Sequence, residues 1–338
     1  MSDMVRAAII GYGGAFNMGP HHTREMHATG RMKLVAVCDL DSKRTDAAKE
    51  DWPGIETFNA VEDLLKWGKF DLAIIILPHN LHASTAVLCS EAGKNVIVEK
   101  PMCISTDEAT AMIEAGKKTG KMVSVYHNRR HDGDFLTLKA LIDEGTIGDV
   151  FSIEMGGMGW GKPGTWWRSI KEVSGGNFFD WGAHYLDWLL NIIKSDIVNV
   201  TGFYQDNLVW KHVTNEDHTR AIIRFEGNVM ADVTMSQIAR VGKPRWTVLG
   251  SRGALVAAGD GEDGGFKVYG MIGDEMQYET FVKNLPGTHP EYYANIAAHI
   301  LDGEELDVKP EEARRVIEIL EYSEKSAKSG VAEEIPFK

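Results

Sequence analysis

The chain has 338 residues, more than a single compact core usually holds, so two domains are the expected number. Hydrophobic residues make up 43% and charged residues 25% of it, a globular composition that excludes a disordered or collagen-like chain. The 36 basic side chains are outnumbered by 49 acidic ones, giving a net charge of −13, so nucleic acid is not an expected partner.

The cysteines and the apolar segments of the sequence predict the cellular compartment of the protein. Cys38, Cys89 and Cys103 are too few for a disulfide framework and are not spaced as metal ligands, so we expect them reduced and buried, with no metal. The N-terminus has no apolar secretion segment, and the longest apolar run, residues 72–77, is far shorter than the about 20 residues of a membrane span. The sequence therefore predicts a cytoplasmic protein with no membrane partner.

Short apolar segments in the first third of the chain alternate with helical stretches. The segments predict buried strands at 5–11, 33–38, 72–77, 95–98 and 121–126, with helices at 20–29, 81–92 and 106–119. This alternation predicts a parallel sheet with helices on both faces.

The pattern changes after about residue 130. Helices are predicted at 135–144 and 179–193, and strands from 150 and at 198–203, 219–225, 229–237 and 245–250, with a hairpin turn at Gly227 and Asn228. Helices at 290–301 and 310–328 close the chain. We therefore expect an α/β protein with a domain over 1–126 and an α+β domain over 127–338. The second domain has a large, mostly antiparallel open sheet, and the last helix packs back on the first domain.

The first predicted strand ends in a glycine-rich turn that is typical of a Rossmann dinucleotide-binding domain. Gly11 and Gly13 fit the first and third positions of the G-x-G-x-x-G fingerprint, but Phe16 replaces its last glycine. Gly14 or Gly19 can compensate in a longer turn. Asp39, at the tip of the second strand, can accept the adenosine ribose hydroxyls, which favours NAD over NADP. A helix N-cap is the alternative role, and Lys43 and Arg44 downstream weaken the preference.

Several longer motifs lie along the chain: Glu99-Lys100-Pro101, Pro78-His79-Asn80-Leu81-His82, Trp167-Arg168 and the run from Gly175 to His184. Together they resemble the glucose–fructose oxidoreductase / inositol dehydrogenase (GFO/IDH/MocA) family of NAD(P)-dependent enzymes, over nearly the whole chain. The resemblance implies that the helix with Asp180 and His184 faces the nicotinamide and the substrate. The expected cofactor-binding residues are Gly11, Gly13, Gly14, Ala15, Phe16, Asp39, Leu77, Pro78, His79, Asn80, His82, Glu99, Lys100, Asn128, Trp167 and Arg168.

Three residues are the expected catalytic group. Lys100 follows a strand of the parallel sheet, where ligands bind beyond the carboxyl ends, and Asp180 and His184 lie one helical turn apart on one face. His184 is the expected general base, Asp180 orients the substrate, and Lys100 stabilises charge on the reacting oxygen or shares the proton. The expected substrate-binding residues are Lys100, Arg129, Trp160, Trp166, Asp180 and His184.

Each of these residues has a structural alternative. Lys100 can be a solvated strand-end lysine, and Asp180 with His184 a surface pair of a helix. His82 can be a satisfied first-turn histidine. Residues 128–130 can form an interdomain salt bridge, and the tryptophans of 159–167 can pack a satellite core instead of stacking on a sugar.

The predicted function is hydride transfer between a sugar, glycoside or cyclitol hydroxyl carbon and NAD. One alternative is an enzyme that retains NAD and cleaves a glycosidic bond through transient oxidation and elimination. A second is a non-catalytic NAD-binding sensor. An open antiparallel sheet would expose apolar area unless it is covered, so we expect a homodimer or homotetramer.

Overall fold

Parallel strands and helices alternate through the first part of the computed structural model, which describes residues 4–14, 16–259, 263–272 and 276–337. The strands are β1 (Val5–Ile10), β2 (Met32–Cys38), β3 (Glu56–Phe58), β4 (Leu72–Ile75), β5 (Asn95–Val98) and β6 (Val123–Val125). The helices are α1 (Met18–Ala28), α2 (Ser42–Asp51), α3 (Val61–Trp67), α4 (His82–Glu91) and α5 (Thr106–Thr119).

All six strands pair in parallel in the order β3-β2-β1-β4-β5-β6. The central strands β1, β4 and β5 are almost wholly buried, as expected for a sheet covered on both faces. Local signals fix the helix ends. In α5, the Ser105 hydroxyl accepts the Glu108 N–H at 3.3 Å, and Gly120 ends the helix at φ +65°.

An eight-stranded sheet follows. Its strands are β7 (Val150–Met158), β8 (Ile197–Asp206), β9 (Glu216–Phe225), β10 (Val229–Ser236), β11 (Trp246–Gly250), β12 (Gly253–Ala257), β13 (Gly265–Ile272) and β14 (Met276–Lys283). They lie in the order β14-β13-β12-β11-β7-β10-β9-β8, and every pair is antiparallel except β7 with β10. The remaining helices are α6 (Gly133–Asp143), α7 (Lys171–Ser174), α8 (Asn177–Ile192), α9 (Pro290–Asp302) and α10 (Pro310–Ser329). The predicted fold class is therefore confirmed.

The large sheet buries one face against α8, which packs on β7, β9 and β10. Alternate residues such as Ile153, Ala221 and Val233 are fully buried on that face. Gly227 and Asn228 adopt φ +75° and +64° between the antiparallel β9 and β10, at the predicted hairpin turn.

The chain divides into two compact units. The first contains the residues up to His127 together with Pro290–Arg314, and the second contains Asn128–His289 and Arg315–Lys338. The expected division placed all residues after 126 in the second domain and packed the last helix on the first. α9 lies in the first of the two compact units, where its Tyr292 hydroxyl donates to the Val125 carbonyl at 3.0 Å. The first turn of α10 is grouped with the first unit, where Glu311 forms an ion pair with Lys117 of α5 at 2.8 Å. Farther along α10, the Ser326 hydroxyl accepts the Gly202 N–H of β8 at 3.1 Å, within the second unit.

Buried cysteines agree with the expectation from the sequence: all three are buried and free. In the part of the chain that the structure describes, no helix is both long and apolar enough to cross a membrane.

Candidate functional site

The carboxyl ends of β1, β2, β4 and β5 gather most of the predicted cofactor residues at one edge of the first unit. Because the strands are parallel, the residues that follow them meet at the same edge, where open α/β sheets bind ligands. The residues found there are Gly11, Gly13, Gly14, Phe16, Asp39, Leu77, Pro78, His79, Asn80, Glu99 and Lys100. Ala15 lies outside the described residues.

The glycine turn has the close approaches that a dinucleotide site needs. Gly11 has φ +86°, and a Cβ there would lie 2.3 Å from the Ile76 carbonyl oxygen. Gly13 has φ +65°. Both positions therefore require glycine, and the backbone between β1 and α1 presents no side chain at these points.

The last glycine of the fingerprint is replaced by Gly19, in the first turn of α1. A Cβ on Gly19 would lie 2.5 Å from the Tyr12 ring and 2.6 Å from the Tyr12 carbonyl oxygen. Phe16, at the expected sixth position, is 61% exposed. The longer turn delays the start of the helix to Met18, so the close packing of helix on strand moves by three residues.

Asp39 is fixed to the glycine turn. Its carboxylate accepts the Tyr12 N–H at 2.8 Å and the Asp41 N–H at 2.9 Å. Asp41, not Asp39, caps α2. Arg44 lies over Gly14, since a Cβ there would be 2.0 Å from its guanidinium. A carboxylate and a guanidinium thus lie beside the same turn, where they would act in opposite senses on a 2′-phosphate.

The segment after β4 contributes a polar side chain and a structural histidine. The Asn80 side-chain oxygen is buried and has no hydrogen-bond partner among the described residues, which fits an acceptor for a ligand hydroxyl. The His82 ring contacts the Leu77 and Pro101 carbonyl oxygens, both at 2.9 Å, and burial lowers its pKa. These contacts favour the structural alternative for His82. Together with the glycine cradle, Asn80 and Asp39 fit a bound dinucleotide.

A buried hydrogen-bonded pair, Glu99 with His22, holds the backbone at Lys100. The two Glu99 carboxylate oxygens bind the His22 Nε2 and the Lys100 N–H, each at 3.0 Å. His22 is fully buried, and its Nδ1 contacts the Tyr293 hydroxyl at 2.6 Å. Burial alone would raise the pKa of Glu99, but the hydrogen bond and charge of His22 outweigh it and lower that pKa.

In the second unit, α8 carries the predicted Asp–His pair in its first two turns. Asp180 is about one-third exposed and accepts a hydrogen bond from Arg168 at 2.7 Å. His184 is 5% exposed and contacts the Trp181 ring edge-on, with 5.6 Å between centroids. The pair combines an oriented carboxylate with a shielded imidazole.

The double glycine before α8 lets a buried carboxylate reach the start of the helix. Gly175 and Gly176 have φ +83° and +113°, and a Cβ on Gly176 would lie 2.6 Å from the Glu216 carboxylate. Glu216 accepts the Asn177 N–H at 3.0 Å and forms an ion pair with Lys171. A carboxylate at a helix N-terminus compensates the unpaired N–H groups and the helix dipole.

Arg129 belongs to the surroundings of α8. With Asn128 it begins a 3₁₀ helix, and its guanidinium lies over Trp181, 4.6 Å from the ring centroid. Its ion-pair partner, Asp132 at 2.7 Å, lies within the same unit. Arg130, the next residue, forms an ion pair with Asp187 of α8 at 2.7 Å.

The tryptophans of the loop after β7 form two clusters. The ring centroids of Trp166 and Trp167 lie 5.5 and 4.8 Å from the Arg168 guanidinium, which binds Asp180. Trp160 instead packs on Trp210 and Arg240.

Several neighbours of the site were not identified by sequence reasoning: His22, Glu216, Trp210 and Arg240. Each is distant in sequence from the residue it contacts, so local patterns carry no trace of the pairing. Within the described residues, no group of three or more His, Cys, Asp or Glu could hold a metal ion.

Comparison with known proteins gives matches over most of the chain. Residues 5–127 match a family model described as an oxidoreductase family with an NAD-binding Rossmann fold, and residues 135–256 match one described as the GFO/IDH/MocA C-terminal domain. A scyllo-inositol 2-dehydrogenase (NADP(+)) of Bacillus subtilis is 28% identical over 349 residues, covering 96% of this chain and 94% of that protein.

Two further similar proteins come from the same comparisons. A scyllo-inositol 2-dehydrogenase (NAD(+)) of Bacillus subtilis is 29% identical over 75% of this chain and 74% of its own. The crystal structure of an NAD-binding protein from Listeria innocua has a TM-score of 0.85 at 27% identity, covering 99% of this chain and 97% of that one.

Proposed function

Because the chain belongs to the GFO/IDH/MocA family of NAD-binding oxidoreductases, we propose that it is a dehydrogenase acting on a hydroxyl-bearing carbon of a sugar, glycoside or cyclitol. The observation that carries the proposal is the pair on α8, a shielded His184 one turn from an Asp180 held by Arg168. Relatives that are inositol dehydrogenases support the substrate class.

In this proposal, bound NAD supplies the hydride acceptor, and the chain's own residues manage the proton. His184 removes the hydroxyl proton, because a neutral imidazole is a competent base near pH 7. Asp180 orients the substrate hydroxyls and stabilises the imidazolium. Lys100, held by the Glu99–His22 pair, donates a hydrogen bond to the reacting oxygen as negative charge develops there.

The cofactor preference follows from Asp39. A carboxylate at this position accepts ribose hydroxyls and repels a 2′-phosphate, which favours NAD. Arg44 acts in the opposite direction, so both cofactors belong in the test.

The decisive experiment incubates the protein with a panel of sugars, glycosides and inositols and with NAD or NADP. Reduced-cofactor absorbance and product mass are measured together. Growth of the absorbance with a product two mass units lighter is the expected result. A cleaved glycoside with flat absorbance would instead identify redox-assisted cleavage, and binding of NAD without any conversion would identify a sensor.

Substitution tests the catalytic group. Lys100→Ala and His184→Ala should each lower kcat by about 10²–10⁴, the contribution of a positioned proton-transfer group, with little change in NAD affinity. Lys118→Ala, at a side chain 76% exposed on α5, is the matched control and should leave kcat unchanged. Full turnover in both site variants would exclude the proposed roles.

A further inference from the structure

Three loops of the second unit lack acidic residues although the chain as a whole is acidic. Residues 159–171, 207–215 and 237–246 contain seven Lys and Arg and no Asp or Glu, in a chain with 36 basic and 49 acidic residues. We call these segments the basic loops. Such a local excess creates a positive potential against the global charge.

The basic loops lie at one edge of the large sheet. β7 and β10 are parallel and end immediately before the first and third loops, while the second joins the end of β8 to the start of the antiparallel β9. The loops contact one another, since Trp160 and Ile238 form a bridge and the Gly161 N–H donates to the Gln237 carbonyl at 3.1 Å.

The start of α8 lies at the same edge. The Gln237 side-chain amide donates to the Asn177 side-chain oxygen at 2.8 Å, and Asn177 is the first residue of the helix that carries Asp180. The third basic loop is therefore joined by a hydrogen bond to the start of the helix that carries Asp180.

An arginine lies over an aromatic support within these loops. The Arg240 guanidinium lies 3.3 Å from the Trp160 ring centroid, and Trp210 packs on Trp160 with 5.2 Å between centroids. The fully buried Asp217 accepts the Val209 and Trp210 N–H groups at 2.6 and 3.2 Å. The Trp210 indole donates to the Gln237 carbonyl at 3.2 Å. Hydrogen bonds to Asp217 and Gln237 therefore hold Trp210 in place against Trp160, the ring over which Arg240 lies.

The cations of the basic loops fall into two groups. Arg168, Lys171, Lys243 and Arg245 each have a carboxylate partner, respectively Asp180, Glu216 with Glu324, Glu154, and Asp134. Lys162, Lys211 and Arg240 form no salt bridge with any residue that the structure describes. These three cations outnumber Asp217, the acidic residue that binds the Val209 and Trp210 N–H groups, and a ligand can compensate the excess.

We propose that the cluster of Trp160, Trp210 and Arg240 binds an anionic group of the substrate, a carboxylate or a phosphate ester, away from the reacting carbon. The inference rests on the proposed function and narrows its substrate class to acidic or phosphorylated sugars and polyols. A guanidinium stacked on an indole keeps its planar N–H edge directed for a two-pronged hydrogen bond to such a group, with little conformational entropy left to lose.

The test measures binding without turnover. The NADH-loaded protein is titrated calorimetrically with glucose, glucuronate and glucose 6-phosphate, and with myo-inositol and its monophosphate. At least one anionic ligand should bind about tenfold or more tightly than its neutral counterpart, with a preference that weakens as salt is added. Comparison of glucuronate with the two phosphate esters shows whether the site prefers a carboxylate or a phosphate. Equal or tighter binding of both neutral ligands, or no binding of any probe, overturns the inference.

Variants assign the preference to the cluster. Arg240→Gln should reduce the ratio of anionic to neutral affinity to about one, while Arg240→Lys, which keeps the charge but not the planar fork, should retain part of it. Arg252→Gln is the matched control, because this exposed arginine follows β11 at the opposite edge of the same sheet. A preference unchanged in Arg240→Gln, with NADH affinity intact as evidence of folding, contradicts the assignment.

The experiments distinguish a missing anion-binding site from a missing dehydrogenase activity. Arg240-dependent binding of an anionic ligand that is never oxidised would keep the site and reject the dehydrogenase. Oxidation of neutral sugars with rejection of anionic ones would keep the dehydrogenase and reject the site.

Discussion

Glu99 carries its charge in a buried position, and His22 is the residue that stabilises it there. Burial works against an ionised carboxylate, yet the pKa of Glu99 is lowered because His22 and Lys100 lie beside it. The same carboxylate accepts the Lys100 N–H, so the pair fixes the backbone from which the proposed catalytic lysine extends. His22 is therefore a positioning residue that acts through Glu99.

His22→Gln should weaken the buried hydrogen bond to the Glu99 carboxylate and lower the free energy of unfolding by about 1–3 kcal/mol. Tyr293→Phe, which removes only the neighbouring hydroxyl, should cost about 1 kcal/mol. Denaturant unfolding at pH 7 measures both. In addition kcat should fall in His22→Gln while NAD affinity holds, because Lys100 is displaced. A loss of stability with unchanged kcat would leave His22 a purely structural role.

The pH dependence gives this pair a second signature. The folded pKa of Glu99 lies below its ordinary value of 4.5, so its stabilisation is present above that pH and is lost as the pH falls through the lowered value. The free energy of unfolding should therefore fall less between pH 6 and pH 3 in His22→Gln than in the original chain. If the free energy of unfolding fell equally in both proteins over this range, His22 would not lower the pKa of Glu99.

At the scale of elements, the turn between β1 and α1 shows how a known fingerprint can shift along a chain. The sixth position, Phe16, is exposed, and Gly19 provides the close packing instead. Glycine spacing in the sequence left Gly14 and Gly19 as equal candidates. Only the tertiary contact with Tyr12 distinguishes them, because Gly14 faces Arg44.

Gly19→Ala should force α1 away from β1, because its Cβ would lie 2.6 Å from the Tyr12 backbone oxygen. Overpacking of this kind costs about 1–3 kcal/mol, and the displaced helix should weaken NADH binding by about tenfold. Fluorescence titration of NADH and thermal unfolding measure the two effects. Phe16→Ala is the control for stability, because this side chain is 61% exposed, and it should leave thermal unfolding unchanged. A larger loss of stability in Phe16→Ala than in Gly19→Ala would contradict the role of Gly19.

The start of α8 depends in the same way on a residue from another element. Glu216→Gln should weaken the acceptor for the Asn177 N–H and the ion pair with Lys171, lowering the free energy of unfolding by about 1–3 kcal/mol. Glu324→Gln also removes a Lys171 partner but does not contact α8. Only Glu216→Gln should lower kcat with the best substrate. Equal kcat in both variants would contradict a role for Glu216 in positioning Asp180 and His184.

Element prediction succeeded where local signals are strong. β5 and α5 have the predicted bounds, since an apolar run and a capped, glycine-ended helix define themselves. No strands were predicted over 253–283, where β12, β13 and β14 form. These strands contain Gly253, Gly265 and Gly270, and β14 lies at the sheet edge with mostly exposed side chains. Pairing with neighbours, not local propensity, holds them in the sheet.

For the whole molecule, the fold class followed from the sequence, but the neighbours of the site did not. Strand-end positions such as Asp39 and Lys100 were identified because topology brings such ends together. The pairings of His22 with Glu99 and of Trp160 with Arg240 join residues 77 and 80 positions apart, respectively, and required coordinates. The absence of acidic residues from the basic loops was the one signal in the sequence that pointed to Arg240.

The outer face of the large sheet favours assembly of the chain into a homodimer or homotetramer. Register places Phe203, Arg220 and Thr234 in one row on the face opposite α8, and Phe203 is 52% exposed. Met230, Tyr269 and Phe281 add exposed apolar area to the sheet, more than isolated surface residues usually provide.

Light scattering after size exclusion should therefore give two or four times the mass of the chain. Phe203→Glu should shift the mass toward the monomer, because an unpaired charge would be buried in the contact. Val331→Glu introduces the same charge at a side chain 60% exposed outside the sheet and should leave the assembly intact. A monomeric original chain at tens of micromolar, or a Phe203→Glu variant of unchanged mass, would show that the sheet face is not the contact surface.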